Sequence, residues 1–192
     1  MTKKAFGELV LSILEKGYTA TDKPTDIREI WVAADIVRSS EINKIIETLG
    51  EELAPEWVST FKNVVVLTDA DRNLKYSNLP AKILSTNGKG LWQISPMQNE
   101  AESFIQTSVG DDFVYSKLEA KTLLGQTQYW REGQRVYYHN NTYDNVLVKM
   151  LAQLIDIPDN YPIPVPDEEY LMDKVLQWFG IQNVKPETPP VA

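Results

Sequence analysis

The sequence predicts an α+β protein: an N-terminal antiparallel helix pair, a central antiparallel β-rich domain of sandwich or small-barrel type, then a Pro-rich connector and a C-terminal helix. Three observations carry this. Apolar residues recur at helical spacing up to Gly50, short runs rich in β-branched residues take over near Trp57, and four prolines between Pro158 and Pro166 forbid a regular ladder.

The helices come first. Phe6, Leu9, Val10, Ile13 and Leu14 stand at offsets 0, 3, 4, 7 and 8, the stripe of an amphipathic helix, with Gly17 where a left-handed cap is wanted. After Pro24, Asp26 and Glu29 have capping-box spacing. Ile27, Ile30, Trp31, Ala34, Val37, Ile42, Ile45, Ile46 and Leu49 then follow helical periodicity, as one helix or as two pieces broken at Ser39-Ser40. A pair of helices cannot bury both apolar faces alone, so the uncovered face must meet the rest of the chain or a neighbouring subunit.

Strands are expected at Phe61–Thr68, Leu74–Ser77, Ala81–Ser85, Gly90–Ser95, Phe113–Lys117, Gln126–Glu132 and Gln134–His139. Asp69-Ala70-Asp71-Arg72-Asn73, Asn87-Gly88 and Glu132-Gly133 supply turn chemistry. Residues 146–155 alternate like a strand at first, although Met150, Leu151, Ala152 and Gln153 favour helix; the strand reading is preferred. Pro158, Pro162, Pro164 and Pro166 favour an extended, polyproline-like path. Asp167 then suits a helix N-terminus, and Leu171, Met172, Val175, Leu176 and Phe179 mark a last helix closed by Gly180. Lys185 to Ala192 has no periodic apolar face and is expected to stay extended or disordered until a partner orders it. The regions are thus 1–55 helical, 56–156 β-rich, 157–180 connector and helix, and 181–192 tail.

Composition narrows function. Among 192 residues, 43% apolar and 24% charged is an ordinary globular balance that should fold throughout, apart from the ends. Cysteine is absent, which excludes disulfides, thiolate metal sites and cysteine nucleophiles and suits a reducing cytosol. Glu8, Glu15 and Lys16 interrupt the N-terminal apolar residues, so no signal peptide is read there and no stretch is long enough to span a membrane. The chain is expected to stay in the cell unless it leaves inside a particle. A net charge of -8 argues against a phosphate-neutralising surface. Between Asp156 and Ala192 seven acids face two lysines, read first as a solvated helix face and second as a surface that steers a basic partner.

Constellations for catalysis are not found. His139, the only histidine, has no nucleophile context. Asp69, Asp71 and Asn73 imitate half a calcium loop, but Leu74 and Pro80 occupy the positions that need glycine and a bidentate acid. Asp111-Asp112 and Glu168-Glu169 are sequence neighbours whose side chains diverge. Gly88-Lys89-Gly90 falls short of a phosphate-binding fingerprint, and the sequon Asn140-Asn141-Thr142 means nothing without export. No cofactor, metal or catalytic residue is expected. The aromatic set of Trp57, Trp92, Tyr129, Trp130, Tyr137, Tyr138, Tyr143, Tyr161, Tyr170 and Trp178 is richer in meaning, since such residues fill cores and also interfaces.

The order of segments resembles a known class. The helical pair is followed by Tyr76-Ser77-Asn78-Leu79-Pro80-Ala81-Lys82-Ile83-Leu84 and Lys89-Gly90-Leu91-Trp92-Gln93-Ile94-Ser95. Then come Tyr129-Trp130-Arg131-Glu132-Gly133-Gln134-Arg135-Val136-Tyr137 and Tyr161-Pro162-Ile163-Pro164-Val165-Pro166-Asp167. Together they resemble virion structural proteins of tailed bacteriophages, above all the small neck or ring proteins of crAss-like phages, and are similar in plan to podovirus tail adaptors. The resemblance implies a non-enzymatic subunit of a homo-oligomeric, dodecameric ring at the head-to-tail connector, assembled in the host cytoplasm and carried in the virion. Its partners would be the portal and other neck or tail proteins, with no sequence-specific nucleic acid and no membrane. A closed ring needs two different matching patches. Ile27, Ile30 and Trp31 on the helical pair, and Tyr161, Pro162, Ile163, Pro164 and Trp178 on the arm and last helix, are the candidates. Two other readings compete: a module binding peptide or carbohydrate on Trp92 and Trp130, and a hydrolase using Asp111, Asp112 and Asp167.

Overall fold

The computed structural model describes residues 1–17, 25–49, 53–84, 90–107 and 126–181. They fall into two compact units, one formed by the described parts of Met1–Trp57, Leu84–Gly88 and Gln153–Ala192, the other by those of Val58–Ile83 and Lys89–Ala152. The expected strand at Phe113–Lys117, the turn at Asn87-Gly88, the acids Asp111 and Asp112, and the tail after Ile181 lie outside the described residues.

The first unit is helical, with α1 (Lys3–Gly17), α2 (Ile27–Leu49) and α3 (Glu168–Trp178). Its core is the inward stripe of each helix. Phe6, Val10 and Leu14 from α1, Ile30, Ala34 and Ile42 from α2, and Leu171, Val175 and Leu176 from α3 are buried. Caps set the ends: the Asp26 carboxylate accepts from Arg28 N at 2.9 Å, and that of Asp167 accepts from Tyr170 N at 2.9 Å. Gly180 takes the left-handed conformation that closes α3. The second helix runs through Ser39-Ser40 without a break. Inside it the Arg38 guanidinium, fully buried, donates to Asp35 at 2.8 Å, and the other Asp35 oxygen accepts from Leu154 N at 2.9 Å.

Residues 157–180, expected as a region of their own, share this unit with the N-terminal helices. The proline segment is held by the first residues of the chain. Lys3 N donates to Tyr161 O, Lys4 N to Asp159 O and Ile163 N to Met1 O, and Thr2 bridges Pro162. Lys3 completes the clasp: its Nζ donates to Ile157 O at 2.7 Å, pairs with Asp159 at 3.2 Å and lies 5.2 Å above the Trp31 ring. Proline cannot donate to a ladder, so the segment's remaining amides and carbonyls bond where they can.

The second unit holds eight strands among the described residues: β1 (Ser59–Val65), β2 (Leu67–Asp69), β3 (Leu74–Asn78), β4 (Leu91–Pro96), β5 (Ile105–Gln106), β6 (Gln128–Glu132), β7 (Arg135–His139) and β8 (Asn145–Met150). One sheet has the order β1-β8-β4, the other β2-β3-β7-β6-β5, and all pairings are antiparallel except β5 with β6. Gly133, with φ +60°, makes the turn from β6 to β7. Asn63, with φ 58°, sits where the β1–β8 register shifts. Phe61, Ile94, Val146, Val148 and Met150 bury one sheet's apolar set, while Val136 and Tyr138 do so for the other. Three expectations need correction. The end strands of neither sheet pair with each other among the described residues, so no closed barrel is seen. In the described part of Ala81–Ser85, residues 81–84, there is only the bridge of Ile83 to Ala152, because Pro80 interrupts the ladder just before it. Residues 146–155 divide, strand to Met150 and then a 3-10 turn at Leu154–Asp156.

Candidate docking face of the helical unit

Leu171, Val175 and Trp178 stand at offsets 0, 4 and 7 on α3 and so share one stripe. The first two are 2% and 0% exposed, yet Trp178 is 57% exposed. The apolar stripe therefore continues past the end of the core. Opposite it, α2 carries a second apolar stripe: Val32 and Ile36, one turn apart, are 54% and 43% exposed, while Ile30, Ala33 and Ala34 are buried. Between the two lies a cleft of about 370 Å³ lined by Arg28, Glu29, Val32, Ala33, Trp178 and Phe179.

The walls of this cleft are aliphatic and aromatic, and its charge is confined to a neighbouring cation and anion, Arg28 and Glu29. Large exposed apolar side chains gathered beside a concavity mark a surface that gains by being covered. Trp and Arg are also the residues that most often dominate binding energy at interfaces. The cleft has no nucleophile, and its single carboxylate has no acid partner there. Among the described residues no group of three His, Cys, Asp or Glu is placed to hold a metal ion, and no helix is long and apolar enough to cross a membrane.

The eight residues expected at an interface divide. Trp178 and Pro162 reach the surface, and Ile27 and Tyr161 are half-buried. Ile30, Trp31, Ile163 and Pro164 are buried inside the chain itself; Gly7 of α1 packs against the Trp31 ring, and Ile163 N donates to Met1 O. Val32 and Phe179 line the cleft, and Ile36 is exposed one turn further along α2, yet none of the three is among the residues the sequence marks for an interface. The signal was there in the spacing of Val32 and Ile36, hidden by apolar residues on nearly every face of α2.

Other candidates are placed by the fold. Trp92 is 42% exposed on β4, whereas Trp130 on β6 is 5% exposed, stacks on Tyr137 at 5.9 Å and donates from Nε1 to Glu132 at 3.1 Å. The two rings belong to different sheets. Asp167 is spent on the α3 cap, and Asp69 accepts from Asp71 N and Arg72 N within its own turn. His139 ends β7, half-buried. Glu132, held by Arg72 at 2.8 Å and by the Trp130 N–H, has its carboxyl drawn below the usual range by those hydrogen bonds.

Comparison with known proteins finds no family model that matches this chain and no curated protein that matches it.

Proposed function

We propose that the chain is a non-enzymatic assembly protein whose α2–α3 face docks on neighbouring subunits, as a ring or adaptor component of the portal-tail neck of a tailed-phage virion. The observation that carries this is the exposure of Val32 and Trp178 in one apolar cleft, with Ile36 also exposed one turn further along α2. The likeness of the segment order to neck and ring proteins of crAss-like phages supports the particle, and a closed ring supplies the cover that such a face needs. In this reading the N-terminal helices form an antiparallel pair, the two sheets face one another as a sandwich, and the proline segment connects them to the last helix. A sheet module for peptide or carbohydrate has less support, since Trp130 is buried.

Mass in solution tests it. The wild type should run as a multimer of the 21.9 kDa chain, and Val32→Asp should return it to one chain. A wild-type monomer at every concentration, together with its absence from intact particles, would overturn the proposal.

A further inference from the structure

We infer that a sheet patch of Leu67, Tyr76 and Arg135 is a second contact surface of the chain, and that it receives the Glu29 edge of the α2–α3 face of another copy. This rests on the reading of that face as a docking surface and names what it docks on. A heterologous contact joins two different patches, and the α2–α3 face is only one of them. Strand register builds the other. Leu67 pairs with Tyr76, Tyr76 with Tyr137 and Tyr137 with Trp130, so the four side chains form a row on one face of the five-stranded sheet. Arg135, two residues before Tyr137 on β7, stands on the same face. One half of the row is closed from within: the Arg72 guanidinium lies 4.9 Å over the buried Tyr137 ring and pairs with Glu132, which accepts from the buried Trp130 indole. The other half is open. Leu67 is 42% exposed, Tyr76 is half-buried, and the exposed Arg135 holds its guanidinium 4.9 Å over the Tyr76 ring.

Charge names the occupant. Among the described residues no carboxylate forms an ion pair with Arg135. A guanidinium laid flat on a ring keeps its N–H edge for a planar carboxylate. A chain of phosphates fits less well, because Asp69 and Glu132 share this part of the sheet and the protein carries a net charge of -8. The α2–α3 face holds the complementary group. Glu29 is exposed in the cleft lining with Val32 and Trp178, and it too has no ion pair among the described residues. Its neighbour Arg28 repeats the match with the signs reversed, since Asp69 borders the sheet patch, 3.4 Å from the Tyr137 hydroxyl. Leu67 and Tyr76 supply the apolar cover that Val32 and Trp178 lack, and Tyr, Trp and Arg are the side chains that most often carry binding energy.

Charge reversal in the full chain tests the contact. Glu29→Arg and Arg135→Glu should each raise the dissociation constant of the multimer at least ~10-fold, because like charges then meet. An equimolar mixture of the two variants should assemble again, since every contact between alternating copies joins opposite charges. Both side chains are exposed, so both variants should keep the wild-type denaturation midpoint as dilute monomers. Leu67→Asp, at an exposed apolar position, gives an independent reading and should dissociate the multimer as Val32→Asp does. Single variants that stay apart when mixed, or a Leu67→Asp chain that still forms the wild-type multimer, overturn the inference. If Val32→Asp nonetheless dissociates that multimer, the assembly proposal stands without it. A wild type that is monomeric at every concentration overturns the inference whether or not intact particles contain the chain.

Discussion

The edge of the Trp31 indole fills the space beside Gly7 that any other residue would need for its Cβ. An added Cβ there would lie 2.3 Å from Trp31 Cη2 and 2.6 Å from Cζ2. The ring is buried, with the Lys3 ammonium over its face, and cannot swing away cheaply. Gly7→Ala should therefore destabilise the protein. Alanine gains about 1 kcal/mol of helix propensity over glycine, but overpacking costs about 1–3 kcal/mol, and the clash is short enough to take the upper part of that range. Urea midpoints measure the balance, and a higher midpoint for Gly7→Ala would refute the packing argument. Pairing it with Trp31→Phe, which shortens the ring, should cost less than the two single changes added together.

The Asp35–Arg38 pair gives a second test. Burial pushes the Asp35 carboxyl above its usual range against the pull of Arg38, and burial likewise draws the Arg38 guanidinium down. Both directions say that desolvation outweighs the attraction, so the pair specifies geometry more than it stabilises. Removing one partner should still be severe: Asp35→Leu leaves the Arg38 charge in the core without this carboxylate and should cost about 3–5 kcal/mol. The double change Asp35→Leu with Arg38→Met should recover much of that loss. It should still fall short by about 1–3 kcal/mol, because Leu154 N–H loses its acceptor. Denaturant curves for the three variants close the cycle, and a double variant no better than Asp35→Leu would contradict it.

How much of this was legible in the sequence follows from how local each cause is. Asp167, Gly180, the α1 stripe and the Glu132-Gly133 turn act within a few residues, and each is found where its chemistry placed it, except that Leu9 of the stripe is exposed while Phe6, Val10 and Leu14 are buried. The clasp of Met1, Thr2 and Lys3 on Tyr161, Pro162 and Ile163 joins opposite ends of the chain, and no periodicity encodes it. It is the reason that Ile163 and Pro164, legible as apolar and irregular, turned out to be core. The same limit applies to β8, whose place between β1 and β4 depends on partners far away in sequence. Of the cleft only Trp178 was foreseen, since the end of a stripe is visible in the sequence but the side of α2 that lies across from it is not.

Alkaline pH should weaken the sheet unit through a tyrosine. Burial pushes the Tyr129 phenol from its model-compound value of 10.0 up to about 12. Its folded value is the higher one, so unfolded chains lose the proton first. The stabilising contribution is complete below about pH 10 and is lost as pH climbs towards about 12. Denaturation followed across that window should show a falling midpoint, shallower in Tyr129→Phe. Its hydroxyl is 3.4 Å from Gln106 Oε1, too weak a contact for the substitution itself to cost much at neutral pH. An identical slope in wild type and variant would exclude Tyr129 as a source.

The final test uses α3 itself, where size and cost should run in opposite directions. Leu171 and Trp178 share a stripe, but the smaller residue is buried and the larger is not. Leu171→Ala should cost about 2–5 kcal/mol through the cavity it leaves. Trp178→Ala removes far more surface yet should cost under about 1 kcal/mol of folding stability, since most of that surface is already in water. Its effect should appear in association instead: a lower multimer fraction at equal concentration, with an unchanged denaturation midpoint measured on dilute monomer. If Trp178→Ala destabilised the monomer as much as Leu171→Ala, the indole would belong to the core and the α2–α3 face would lose its anchor.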